Sequence, residues 1–166
     1  MKREAVIDET GVYRYLLSRR WAYGNAVTWI MLNPSTADAA IDDPTIRRCI
    51  GFSKKWGYSG LYVVNLYAYR STKPEALKSA IDPIGPEHGL HFGTALYRSA
   101  FNIAAWGACK HARIDHVLPY LSNYVIHCLG VTADGSPRHP LYVKGDVEPQ
   151  LWYRRMRTDH DGGEHE

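Results

Sequence analysis

Two asparagines and a histidine, Asn33, Asn65 and His139, stand at the ends of apolar runs or beside turn-forming prolines. The run AVTWIMLNPSTAD, residues 26 to 38, passes from β-branched, aromatic and long aliphatic side chains to Asn33-Pro34 and then to small polar residues. VVNLYAYR carries Asn65 at the end of a second apolar run, and GSPRHPLY sets His139 against Pro140. An asparagine side chain offers a donor and an acceptor together, which is how the edge of a planar ligand is read. Tyr67 and Tyr69 follow Asn65 and supply flat walls for a π-face, so the set suits a nucleobase.

For these side chains to meet, the runs that carry them must be neighbouring strands pointing the same way. Four apolar runs read as strands, at about 26–33, 60–67, 101–106 and 124–130, with helical patterns between them. That alternation predicts a parallel sheet with helices on both faces, whose ligands bind beyond the carboxyl ends of the strands. Pro34 cannot donate to a ladder, so the first strand stops at Asn33. Asp43 and Pro44 open a helix that buries Ile46, Cys49, Ile50 and Trp56 and closes at Gly57. Thr72 and Glu75 have capping-box spacing ahead of a short helix. A further helix is expected from Pro86, burying Leu90, Leu96 and Tyr97, and a last one over 112–122 with Ile114, Val117, Leu118 and Leu121 inward. Residues 131–141 read as a loop, and the first 25 as a strand or helix at the sheet edge.

At 166 residues, 45% hydrophobic and 22% charged, the chain has the composition of one soluble domain. We expect that domain over 1–157 and a disordered polar tail over 158–166. No apolar run reaches bilayer length and the N-terminus lacks a signal core, so a cytoplasmic protein with no membrane partner is expected. Cys49, Cys109 and Cys128 lack the spacing of a disulfide framework or metal site and read as buried apolar residues. Glu87, His88 and His91 lack the pattern of a zinc helix, and Trp29 and Trp106 read as core, so neither metal nor cofactor is expected. A net charge of +3 permits a nucleic-acid partner through the basic residues Arg47, Arg48, Lys54, Lys55, Arg70, Lys73, Arg138 and Lys144.

The stretch LNPSTADAAIDDPTIRRCIGFSKKWGYSGLYVVNLYAYRSTKPEAL resembles the core of a bacterial and phage family known as domain of unknown function 1643, over about residues 26 to 143. More distantly, the order of strand, NP turn, helix, strand with Asn, helix, strand, helix, strand and HP loop is similar to the uracil-DNA glycosylase superfamily. That resemblance implies that Asn33 positions the attacking water, that His139 stabilises the departing base and that Asn65 recognises it. Ser35 stands where glycine commonly follows the NP pair, and Leu141 where serine commonly follows HP, so a modified base is as plausible a substrate as uracil.

The resulting expectation is a three-layer α/β/α domain around a four-stranded, mainly parallel sheet, uracil-DNA-glycosylase-like. It would be a monomer that binds single- or double-stranded DNA, flips a base and hydrolyses its N-glycosidic bond without a cofactor. Asn33, His139 and Asp38 are the candidate catalytic residues, Asp38 as a second base, while Asp42 and Asp43 serve the helix N-terminus. Asn65, Tyr67 and Tyr69 would hold the base, and Ser35, Thr36, Arg70, Ser71, Ser136 and Arg138 the phosphates. Two other readings stay open: a non-catalytic nucleic-acid or nucleotide-binding module, and a hydrolase or transferase of free nucleosides or nucleotides.

Overall fold

The computed structural model describes residues 1–153. Seven strands form one mixed sheet: β1 (Lys2–Ile7), β2 (Arg14–Arg20), β3 (Ala26–Met31), β4 (Gly60–Asn65), β5 (Phe101–Ala104), β6 (Ile126–Cys128) and β7 (Gln150–Tyr153). Their spatial order is β1-β2-β4-β3-β5-β6-β7. The four expected strands form its middle, with β4, β3, β5 and β6 mutually parallel. The expected four-stranded sheet is corrected at both margins, because β1 and β2 extend it antiparallel beside β4, and β7 antiparallel beside β6. Half of the neighbouring pairs are therefore antiparallel, and the protein is mixed α/β.

β2 escapes a hydropathy reading because RYLLSRR carries three arginines. Two of them, Arg14 and Arg19, are buried all the same. Arg19 is satisfied by an ion pair with Asp42 at 2.7 Å and by the Ser18 carbonyl at 2.8 Å. The polar tail expected over 158–166 lies outside the described residues. No helix among the described residues is long and apolar enough to cross a membrane.

α1 (Pro44–Lys55) forms where expected. Asp43 accepts from the Ile46 N–H at 2.9 Å, Pro44 takes the first turn, and Gly57 leaves the helix at φ +82. Its Ile46, Cys49, Ile50 and Phe52 pack against Val27, Trp29, Met31, Leu61 and Val63 on one face of the sheet. Trp29 stacks on Trp56 with ring centres 5.6 Å apart and donates to Ser53 Oγ at 3.0 Å.

The other face, carrying Ile30 and Val64, is covered by α2 (Ala76–Ser79), α3 (His88–Arg98) and α4 (Leu118–Leu121). α3 buries His88, Phe92, Ala95 and Leu96. Leu90 and Tyr97, expected inside, are 68% and 81% exposed. The register differs because Gly89 and Gly93 form the groove that receives Tyr120, a packing that hydrophobic periodicity does not show. The Thr72–Glu75 capping box does not form: Ser71 Oγ takes the Lys73 N–H at 3.1 Å, and α2 begins without a side-chain cap. The segment 112–122 is mostly turns, and only its last part is helical, although Val117 and Leu121 are buried as expected.

The placement of α1 and α3 on opposite faces follows from the strand order. From β3 the chain moves through α1 to β4 on one side, and from β4 it returns through α2 and α3 past β3 to β5 on the other. A right-handed crossover in each direction puts the two connections on opposite faces and opens a crevice beyond the ends of β3 and β5.

Candidate functional site

A cavity of about 620 Å³ fills that crevice. This is within the roughly 300–1,000 Å³ range of small-ligand sites. Asn33, Asn65 and His139 all line it, from the ends of β3 and β4 and from the loop after β6, and so do Ser35, Ser71 and Arg138. The sequence places these residues in separate segments; the parallel strands bring them together.

The Asn33 amide nitrogen donates to the Ser71 carbonyl at 2.9 Å and the Pro34 carbonyl at 3.2 Å. Those bonds fasten the loop after β4 to the end of β3. They also fix the orientation of the amide, so Nδ2 is engaged by the chain and, among the described residues, Oδ1 accepts nothing. Asn33 itself is part of the cavity wall.

Asn65 is the last residue of β4 and only 3% exposed, yet neither its Oδ1 nor its Nδ2 has a partner. A buried amide atom left unpaired costs about 1–3 kcal/mol. The backbone around it is held firmly: the Nε2–H of His88 donates to the Asn65 carbonyl at 2.7 Å, and that of His116 donates to the carbonyl of Leu66. Burial lowers the His88 pKa from 6.5, against the opposing effect of its bond to Asn65.

His139 opens the short 3-10 turn Pro140–Tyr142, and its Nδ1 accepts from the Leu141 N–H at 3.2 Å. An accepting Nδ1 leaves the proton on Nε2, so the imidazole presents an Nε2–H donor. Burial lowers its pKa from 6.5, and the nearby Asp43 carboxylate opposes that shift. The ring is neutral near pH 7. Gly107, at φ +78, passes so close that an added Cβ would stand 3.2 Å from the His139 Cβ. On the other side Arg48 of α1 donates to the carbonyls of Pro140 at 3.1 Å and Val143 at 2.6 Å, clamping the turn.

Several expected site residues stand elsewhere. Asp38 is not in the cavity wall. Its Oδ1 accepts from the Ala40 and Ile41 N–H groups at 2.7 and 2.8 Å, which closes the loop and draws its pKa down. The carboxylates that do line the cavity are Asp43 and Glu75. Tyr67 is no wall either, because its hydroxyl donates to the His111 carbonyl at 2.8 Å and supports the loop after β5 from behind. Tyr69 pairs with Tyr13 in an isolated bridge, and the aromatic surfaces in the cavity are Trp106 and Tyr142. Thr36, Arg70 and Ser136 are also outside it. Arg70 reaches the Gly11 carbonyl at 3.4 Å, and Ser136 lies in the turn closed by Asp134. Of the basic residues after α1 begins, Arg48 and Lys55 grip the last loop, Lys55 through the Gly145 carbonyl at 3.0 Å. Cys49 and Cys128 are buried as expected, whereas Cys109 is half-buried and lines the cavity.

Arg14, Lys110 and Tyr142 are cavity residues that sequence reasoning passed over, and Arg14 is the buried one. It is 3% exposed, one guanidinium nitrogen donates to the Ala37 carbonyl at 2.8 Å, and its Nε has no partner. Burial draws its pKa down to about 10, which leaves it protonated at neutral pH. The signal was an arginine in an apolar neighbourhood, between Tyr13 and Tyr15.

Fold and site together define a mixed α/β protein with a cavity at the carboxyl ends of its parallel strands, its wall carrying two amides, an imidazole and a guanidinium among apolar side chains. The chain belongs to the family described as Protein of unknown function (DUF1643), whose model matches residues 14–141. That match takes in β2 and Arg14, ahead of the segment that carried the resemblance. No curated protein and no solved structure matches the chain.

Proposed function

We propose that the protein is a DNA glycosylase-like hydrolase that takes a uracil or modified base out of the stack and cleaves its N-glycosidic bond. The observation that carries this reading is the Asn65 amide, buried without a partner in the wall of a cavity it shares with Asn33 and His139. A base edge would supply the missing donor and acceptor. The element order also agrees with the uracil-DNA glycosylase resemblance, with the NP turn after the first parallel strand, Asn65 at the end of the second and the HP turn after the fourth.

In this reading a water hydrogen-bonded to Asn33 Oδ1 bonds through its oxygen to C1′ as the C1′–N bond breaks. The bonding electrons leave with the base, whose developing charge is met by the Nε2–H of His139. Asp43 receives the proton released by the water and passes it to the departing base, leaving a hydroxyl at C1′. Asp43 replaces Asp38 in that role because it lines the cavity and only its Oδ1 is engaged, by the helix cap. Trp106 and Tyr142 offer the stacking surfaces first assigned to Tyr67 and Tyr69.

The test is incubation with single- and double-stranded oligonucleotides carrying uracil, hypoxanthine or modified pyrimidines, followed by cleavage at abasic sites. Wild type should yield product, with Asn33→Ala and His139→Ala reduced on the order of a hundredfold or more. Tight binding of these oligonucleotides without abasic product would favour the non-catalytic module and remove the hydrolase reading.

A further inference from the structure

We propose that the cavity holds an oxyanion subsite built on Arg14, so that the ligand it takes carries a carboxylate or phosphate beside its planar, amide-read part. A guanidinium buried to this degree is ordinarily paired, since removing a charge from water without a counter-charge is costly. Here no carboxylate lies within ion-pair distance of Arg14 among the described residues, although Arg3 and Arg19 both find Asp42. A backbone carbonyl, that of Ala37, is what Arg14 has instead.

The acidic groups that act on Arg14 do not neutralise it at contact. Asp43 lies in the same wall, but its Oδ1 accepts from the Ile46 N–H, and Asp38 uses its Oδ1 on the Ala40 and Ile41 N–H groups. Arg70 and Arg19 add positive potential. The unpartnered Nε–H and the planar fork of a guanidinium suit the two oxygens of a carboxylate or phosphate. Asn65, equally buried and with both amide atoms unpartnered, lines the same cavity, so one ligand meets both. A neutral base would fill the Asn65 position and leave the charge unanswered.

This inference concerns what binds, so it stands or falls separately from base excision. Isothermal titration of the full chain compares two matched pairs: orotate with uracil, and uridine 5′-monophosphate with uridine. The first pair adds a carboxylate to the base and the second a phosphate to the sugar, which separates the two sources of the anion. The charged member of at least one pair should bind tenfold or more tightly than its neutral partner. Arg14→Gln should abolish that preference while keeping the neutral member's affinity, and Arg14→Lys should keep part of it. Should Arg14→Gln not fold, the wild-type Arg14 Nε–H resonance, followed by NMR, should move on adding the charged probe and stay on adding the neutral one. No preference in either pair, a preference that survives Arg14→Gln, or an unmoved Nε–H resonance overturns the subsite.

Discussion

Asn65 and Arg14 are groups that the free protein would be more stable without. Replacing Asn65 by leucine, close to it in volume, removes two unpaired buried atoms, each worth about 1–3 kcal/mol. We expect Asn65→Leu to raise Tm by several degrees, since roughly 1 kcal/mol shifts Tm by 2–4 °C at this size, while ligand binding is lost. Differential scanning calorimetry checks the first half, and an unchanged or lower Tm would mean that the amide is satisfied in solution. A second prediction concerns pH. Burial lowers the pKa values of both His88 and His139 below 6.5, so the unfolded chain binds their protons more tightly than the folded one. Their contribution to stability is therefore complete above about pH 6.5 and is lost as pH falls through the lower folded values. Tm should decline as pH falls below about 6.5, and less so in His88→Gln and His139→Gln. Protonation of His139 also removes the acceptor for the Leu141 N–H, so the 3-10 turn should loosen over the same range. At this scale Asn33 and His139 were legible because a neighbouring proline marks where a strand ends or a turn begins. Arg14 was not, because an arginine in sequence reads as a solvated charge unless its neighbours are known to be covered.

α1 joins the two ends of the site. Its first residue boundary, Asp43, lines the cavity, and one turn further on Arg48 holds the turn that carries His139. Asp43→Ala should cost about 1 kcal/mol through loss of the N-cap, whereas Asp43→Asn keeps the cap and removes the charge. In the base-excision reading both variants lose activity, and denaturant unfolding separates the capping effect from the chemical one. Arg48→Met removes two charge-assisted bonds, at about 1.5–3 kcal/mol each, from the turn. Hydrogen exchange at the amides of Leu141 to Val143 should accelerate while α1 stays protected; equal acceleration throughout would mean that the clamp serves the fold generally. α1 could be read from sequence because Asp-Pro, an amphipathic face and a closing glycine all agree. β7 has four residues and β2 has three arginines among its seven, so both form only because β6 and β4 offer free edges. α3 was placed correctly but rotated, since the glycine groove under Tyr120, not apolar periodicity, sets which side faces in.

Across the whole molecule, the location of the site followed from chain order before any side chain was considered, because alternating strands and helices place the crevice at the ends of the parallel strands. The distribution of charge did not follow. A net charge of +3 left a broad basic surface open to nucleic acid, yet Arg14 and Arg19 are buried, and Arg48 and Lys55 hold backbone carbonyls. Lys54 lies over the Trp21 ring, 5.4 Å from its centre. The exposed cations that border the cavity are Lys110 and Arg138. A DNA ligand would therefore meet few phosphate-binding residues, and its affinity should fall only gently with salt. Each phosphate contact contributes a slope of about 0.7–0.9 in log affinity against log salt, so Lys110→Ala with Arg138→Ala should flatten the wild-type slope by about 1.4–1.8. Arg48→Met should leave that slope unchanged, since its guanidinium is turned toward the Pro140 and Val143 carbonyls rather than toward a ligand. Fluorescence anisotropy over a salt series measures all three. A wild-type slope much steeper than Lys110, Arg138 and Arg14 together allow, or one indifferent to Lys110 and Arg138, would place the DNA-binding face away from this cavity and separate the site's chemistry from nucleic-acid binding.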